Sequence, residues 1–152
     1  IIISIIVELI YQIIEVFRHQ VGRMPTFEDF LSGKGLNFFY CVLSGQDKCS
    51  LTNEEILLNY NTDAICLEVK ESMNYLFAAY LRYIALAWGA LGGVYLAGSI
   101  TNSLLFDIDN NKFRQIFEDS ETMNGLLKVT PIFRVKPQDL GFRGALKLAR
   151  EL

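Results

Sequence analysis

The chain is poor in the residues that most often carry chemistry by themselves. Histidine occurs once, as His19, and cysteine three times, as Cys41, Cys49 and Cys66, in 152 residues. One histidine and no Cys-x-x-Cys spacing leave no histidine–cysteine zinc site of the usual kind. An odd number of cysteines builds no disulfide framework, so the thiols are expected to be reduced, as in a cytoplasmic protein. Basic runs are missing and the formal net charge is −3, which argues against nucleic acid as a partner. Neither a Gly-x-Ser-x-Gly elbow nor a P-loop is present. A basic start with a small-residue cleavage site is lacking too, so Ile1 to Phe17 does not read as a signal peptide. Position 1 is isoleucine, and the chain is expected to begin inside a longer polypeptide or to have been trimmed.

What is present suits one globular domain over residues 1–152. Apolar residues make up 51% and charged residues 20%, enough for a sizeable core and far from a disordered composition. In the first helix Ser4, Glu8, Gln12 and Glu15 fall three or four apart, one polar stripe on an otherwise buried helix. Tyr83 to Ile100 carries no charge and is long enough for a membrane span, with Gly89 and Gly93 at Gly-x-x-x-Gly spacing. Its four glycines favour a helix end, a break near Gly92-Gly93 and a buried parallel strand instead, so no membrane partner is expected.

Caps and punctuation divide the rest. A helix over about 4–21 ends at Gly22, and Pro25 to Phe30 reads as a short extended or turn segment. Ser32 caps a helix to about Ser44, and Thr52-Asn53-Glu54-Glu55 has the form of a capping box. Thr62 caps a long helix to about Ala90, followed by a strand over Val94 to Ala97. Asn111 to Glu118 and Met123 to Leu127 read as helices, Val129 to Val135 as a strand broken by Pro131, and Leu140 to Leu152 as a closing helix. Strands separated by helices predict an α/β fold in which helix dominates.

Several positions are candidates for ligand contact. Gly92 to Ile100 delivers the backbone to a bare Gly98-Ser99 turn, where a flat or anionic ligand can approach the main chain. Lys34, within Ser32-Gly33-Lys34-Gly35-Leu36, marks either a glycine-assisted helix start or a ligand contact, and helix starts bind anions through free N–H groups. Glu28 and Asp29 follow a proline turn and read first as a solvated acidic pair. Asp107 and Asp109 open like a calcium loop, but the glycine and the terminal glutamate are missing, so a polar surface loop is expected. His19, between Arg18 and Gln20, is expected to be solvated or capping.

Taken in order, these blocks resemble the C-terminal half of the bacterial-type glucokinases, members of the hexokinase–actin ATPase superfamily. Glu28 to Leu36 is similar to the family's Glu-x-x-Leu-Ser-Gly-x-Gly-Leu block. Gly92 to Ile100 resembles its Gly-Gly-Val-x-x-Ala-Gly-Gly-Ile segment, part of the adenosine motif. Thr62-Asp63, Phe117-Glu118-Asp119, Val129-Thr130-Pro131-Ile132 and Gly141-Phe142-Arg143-Gly144-Ala145 also match, and the likeness covers roughly residues 13 to 150.

The resemblance implies a ribonuclease H-like, actin-like ATPase large domain with a small sheet, the N-terminal domain lying outside this chain. It implies glucose as substrate, ATP and magnesium as cofactors, and often a homodimer. Glu28 takes the position of the glutamate that hydrogen-bonds glucose hydroxyls. Ser32, Gly33 and Gly35 fall on the nucleotide side of the cleft, and Ala97, Gly98 and Ser99 on the turn near adenosine and phosphates. Ser99 replaces the usual second glycine; its hydroxyl can donate to a phosphate, while its Cβ restricts backbone approach. The family's phosphate loop, catalytic aspartate and Glu-Gly-Gly-His motif lie upstream of these blocks, so no catalytic residue and no metal ligand is expected in the 152 residues. The alternative is a non-catalytic glucokinase-like binding or oligomerisation module.

Overall fold

The computed structural model describes residues 3–97, 111–135 and 139–151. Helix α1 (Ile3–Val21) buries Ile6, Ile10, Ile13 and Phe17, a spacing of three and four that keeps them on one face. Ser4, Glu8, Gln12 and Glu15 are exposed, as their stripe predicts. The remainder is not buried as expected: Ile5 and Tyr11 face solvent as well, because neighbouring helices cover only one side.

A single-turn helix, α2 (Phe27–Phe30), stands where an extended or turn segment is expected from Pro25. Its cause is a capping box: Asp29 N–H donates to Thr26 Oγ1 (3.3 Å) while Thr26 N–H donates to Asp29 Oδ2 (2.7 Å). Helix α3 (Gly33–Ser44) starts on the expected cap, with Gly35 N–H donating to Ser32 Oγ at 3.0 Å, and stops at left-handed Gly45. Helix α4 (Asn53–Leu58) has the expected Thr52–Glu55 box and leads into a 3-10 turn at Asn59–Asn61.

The long central helix α5 (Ala64–Trp88) packs against α1 and α3. Its cap is Asp63 rather than Thr62: Asp63 Oδ1 accepts from Ile65 N–H (2.8 Å) and Cys66 N–H (3.1 Å), whereas the Thr62 hydroxyl donates back to Asn59 O at 3.2 Å. The helix ends at left-handed Gly89, three residues before the expected break at Gly92. Among the described residues, no helix is long and apolar enough to cross a membrane.

Strand β1 (Val94–Leu96) follows, then α6 (Asn111–Glu118), α7 (Asn124–Val129), β2 (Ile132–Arg134) and α8 (Leu140–Glu151). The strands pair in parallel, Val94 opposite Ile132 and Leu96 opposite Arg134. Gly93, at φ +111°, makes the approach possible, since a Cβ there would sit 2.9 Å from Pro131 Cγ and 3.0 Å from Pro131 O. The strand is expected to be buried, and it is buried only in part. Leu96 faces the core, but Tyr95 is 66% and Phe133 42% exposed, stacked ring on ring at 4.9 Å. A parallel sheet is normally covered on both sides; here the described helices cover one. Asp107 and Asp109 lie outside the described residues.

Two arginines tie the second half together. Arg82 of α5 donates to Ile116 O (3.1 Å) at the end of α6. Arg114 donates to Leu127 O (3.2 Å), Lys128 O (3.3 Å) and Thr130 O (3.2 Å), carbonyls in the last turn of α7 and just beyond it. Its Nε also pairs with Glu118 at 2.8 Å. Arg114→Ala is expected to lower unfolding free energy by about 2 kcal/mol, the loss of charged donors to half-buried carbonyls. Urea denaturation checks it, and Arg114→Lys, a single point donor, should recover only part of the loss.

Candidate functional site

A cleft of about 1150 Å³ opens between the end of α1, the α2 turn and the start of α3, and Asn53 at the head of α4 closes it. Three of the four residues of α2 are held by partners of their own. Phe27 packs on Tyr80 of α5 at 4.7 Å between ring centres. Phe30 is buried, edge-on to Phe17 at 5.6 Å and to Phe39 at 5.0 Å. Asp29 accepts a two-pronged pair from Arg23, both contacts at 2.8 Å, besides its bonds to Thr26. These donors hold its carboxyl well below the usual carboxylate range, the Arg23 hydrogen bond contributing most. A carboxylate lowered in this way contributes to folding at neutral pH, and that contribution fades only as pH falls through the folded value.

Glu28 differs from its neighbour. It is exposed, lines the cleft, and its carboxylate pairs with no described residue. The expected solvated acidic pair is therefore two unlike groups: a structural aspartate tied to Arg23 and a free glutamate at the cleft. The Thr26-x-x-Asp29 spacing, the same signature that is legible at Thr52-x-x-Glu55, is the signal that marks Asp29 as a cap.

The α3 start supplies the adjoining wall. Ser32 and Gly33 line the cleft together with Lys34, Asn37 and Phe38. Asn37 donates to the Asn53 side chain across Gly33, and a Cβ on Gly33 would meet Asn53 Nδ2 at 2.8 Å. Gly35 is not part of this lining. It is buried, its N–H is taken by Ser32, and an added Cβ would fall 1.9 Å from Phe30 O. Glu28, Ser32 and Gly33 thus come together on one cleft, with Gly35 packed beneath. Ala97 is exposed beyond the end of β1 and is not among the cleft residues, while Gly98 and Ser99 lie outside the described residues. The sequence does not mark Arg23 and Asn37, which belong to no motif, as cleft residues, and it shows Asn53 only as part of a capping box. Among the described residues no three His, Cys, Asp or Glu side chains converge to hold a metal ion.

This frame is helix-rich, with one small parallel pair of strands. It superimposes on a glucokinase from an Antarctic psychrotroph with a TM-score of 0.73 at 20% identity, covering 93% of this chain and 45% of that one. The family model for glucokinase matches residues 4–152, and the chain belongs to the glucokinase family. The glucokinase of Chromobacterium violaceum is 32% identical over 113 residues, 71% of this chain and 32% of that protein. Those of Brucella abortus biovar 1 and Pectobacterium atrosepticum are 31% and 27% identical, each over 92% of this chain and 42% and 45% of the relative. The chain spans less than half the length of the curated relatives it matches.

Proposed function

We propose that this chain is the C-terminal, large-domain portion of an actin-like ATPase that phosphorylates glucose to glucose 6-phosphate with ATP, working in the cytoplasm. The observation that carries the reading is the free carboxylate of Glu28 at the mouth of a polar cleft. Two carboxylate oxygens accept hydroxyl hydrogens at once, which fixes the orientation of a sugar. Asn37 and Asn53, a few residues along the same wall, offer amide donors and acceptors of the kind a polyol takes. Ser32 and Gly33 are the nucleotide-side residues of this wall, with Ala97, Gly98 and Ser99 contributing the adenosine-side turn. Lys34 has no ion-pair partner among the described residues and stands on the first turn of α3, a placement that suits a nearby phosphate.

When bound, the nucleotide supplies the phosphoryl group. Residues of this chain bind and orient the acceptor, and none is assigned to magnesium. Gly35 serves the wall indirectly, by letting α3 close on Phe30. The same reading includes a homodimer.

Glu28→Gln in the intact protein tests the proposal. Losing a charged acceptor for two hydroxyls is expected to lower kcat/KM for glucose by about 10- to 100-fold. The KM for ATP should hardly move. Unchanged glucose kinetics would remove Glu28 from the sugar site.

A further inference from the structure

The free glutamate is carried by an element that cannot hold itself in place. Helix α2 has four residues, too few for stability by hydrogen bonding alone. It is kept in place by what its other residues touch. On one side Phe27 leans on Tyr80, and beneath it Phe30 is locked among Phe17, Phe38 and Phe39. On the cleft side the Ser32 hydroxyl donates to Asp29 O at 3.3 Å, and one side-chain fork ties the turn to the end of α1. Arg23, in the loop leaving α1, donates through Nη1 and Nη2 to the two oxygens of Asp29 and through Nη1 to Met24 O at 3.0 Å. Its guanidinium also lies over the Phe17 ring at 5.3 Å, so the same side chain is seated on α1.

We infer that Arg23 and Asp29 are positioning residues for glucose, a clamp that holds the α2 turn against the end of α1 and thereby sets the place of Glu28 in the cleft. The inference rests on the proposed sugar role of Glu28. Its physical basis is the geometry of the fork. A guanidinium bonded to both oxygens of a carboxylate fixes distance and orientation together, which a single hydrogen bond does not. Asp29 at the same time closes the Thr26 box, so the clamp and the helix cap share one carboxylate. Glu28 is its immediate neighbour in the chain, and any rocking of the turn moves the sugar-facing carboxylate first. Such a clamp controls where an acceptor is held more than how fast a well-held acceptor reacts.

The test uses the intact protein with Arg23→Ala, Arg23→Lys and Glu28→Gln. Arg23→Ala keeps the Thr26–Asp29 box and removes the tie to α1 together with the bond to Met24 O. It is expected to raise KM for glucose by about tenfold, since a loosened binding group loses less than the roughly hundredfold of one misplaced by an ångström. The KM for ATP should stay within about twofold and kcat should change less than KM does. Arg23→Lys should recover part of the glucose KM, because one donor replaces the fork. Amide hydrogen exchange over residues 26–31 should quicken in Arg23→Ala and partly recover in Arg23→Lys. Unchanged exchange there overturns the clamp. So does quickened exchange with an unchanged glucose KM, or a parallel fall in kcat and rise in both KM values. If Glu28→Gln shifts the glucose KM and Arg23→Ala does not, the clamp alone is wrong. If neither variant shifts it, the sugar role of Glu28 fails, and the positioning role fails with it.

Discussion

Gly35→Ala is expected to cost the fold about 3 kcal/mol or more, because one added carbon would overlap main chain that has nowhere to go. The Cβ would lie 1.9 Å from the Phe30 carbonyl oxygen, 2.5 Å from its carbon and 2.6 Å from its Cα. A flexible side chain could swing aside, but these atoms form the junction between α2 and α3. Relief requires moving either the turn that carries Glu28 or the helix whose Leu36 and Phe39 are buried in the core. Both movements undo the Phe30 contacts that seat α2. A loss of this size is a large share of the stability of an ordinary domain, typically about 5–15 kcal/mol. The checking measurement is urea denaturation of the intact protein beside Gly125→Ala as control. Gly125 has open space around it inside α7, so alanine there should be neutral or stabilising by up to about 1 kcal/mol. Equal midpoints for the two variants would mean that the α2–α3 junction is looser than its geometry indicates.

Gly35 also shows where sequence and structure part. Its membership in a Ser-Gly-x-Gly-Leu turn is legible in the sequence, and so is the helix that Ser32 caps, because a short polar side chain before an apolar run has one strong local use. The reason for the second glycine is not legible. It depends on Phe30, which reaches the same place only after α2 forms. Helix α2 itself is hidden behind Pro25, which reads as extended, although Thr26 and Asp29 carry the spacing of a cap. The division of Glu28 from Asp29 is hidden for a related reason. Arg23 lies six positions upstream in an irregular loop, and no periodicity connects it to Asp29. Boundaries of α5 shifted by two residues or fewer at each end, since Thr62 and Asp63 are both competent caps and Gly89 competes with Gly92. The strand pattern fixed β1 well, but a four-residue apolar run does not tell whether one or both faces are covered. Tyr95 and Phe133 answer that only in three dimensions.

The 152 residues alone are expected to phosphorylate glucose at no measurable rate. The acidic groups of the described cleft are Glu28 and Asp29. Phosphoryl transfer to a hydroxyl needs a carboxylate or similar base free to take its proton. Asp29 is a poor one, since Arg23 and Thr26 hold it ionised and occupy both its oxygens. Glu28, if it grips hydroxyls, is engaged in binding. Without a free base among the described cleft residues, the expected loss is about 10²- to 10⁴-fold. Loss of alignment between donor and acceptor costs more. The open faces of the fold point the same way. Among the described residues, Tyr95 and Phe133 on one face of the sheet are exposed and α8 has no buried residue. A coupled assay for glucose 6-phosphate on the purified chain, with circular dichroism showing that its helices are formed, decides the matter. Turnover within about tenfold of a full-length relative would show that the chain holds a base and a phosphoryl-donor site of its own, and would move the chemistry away from the Glu28 cleft.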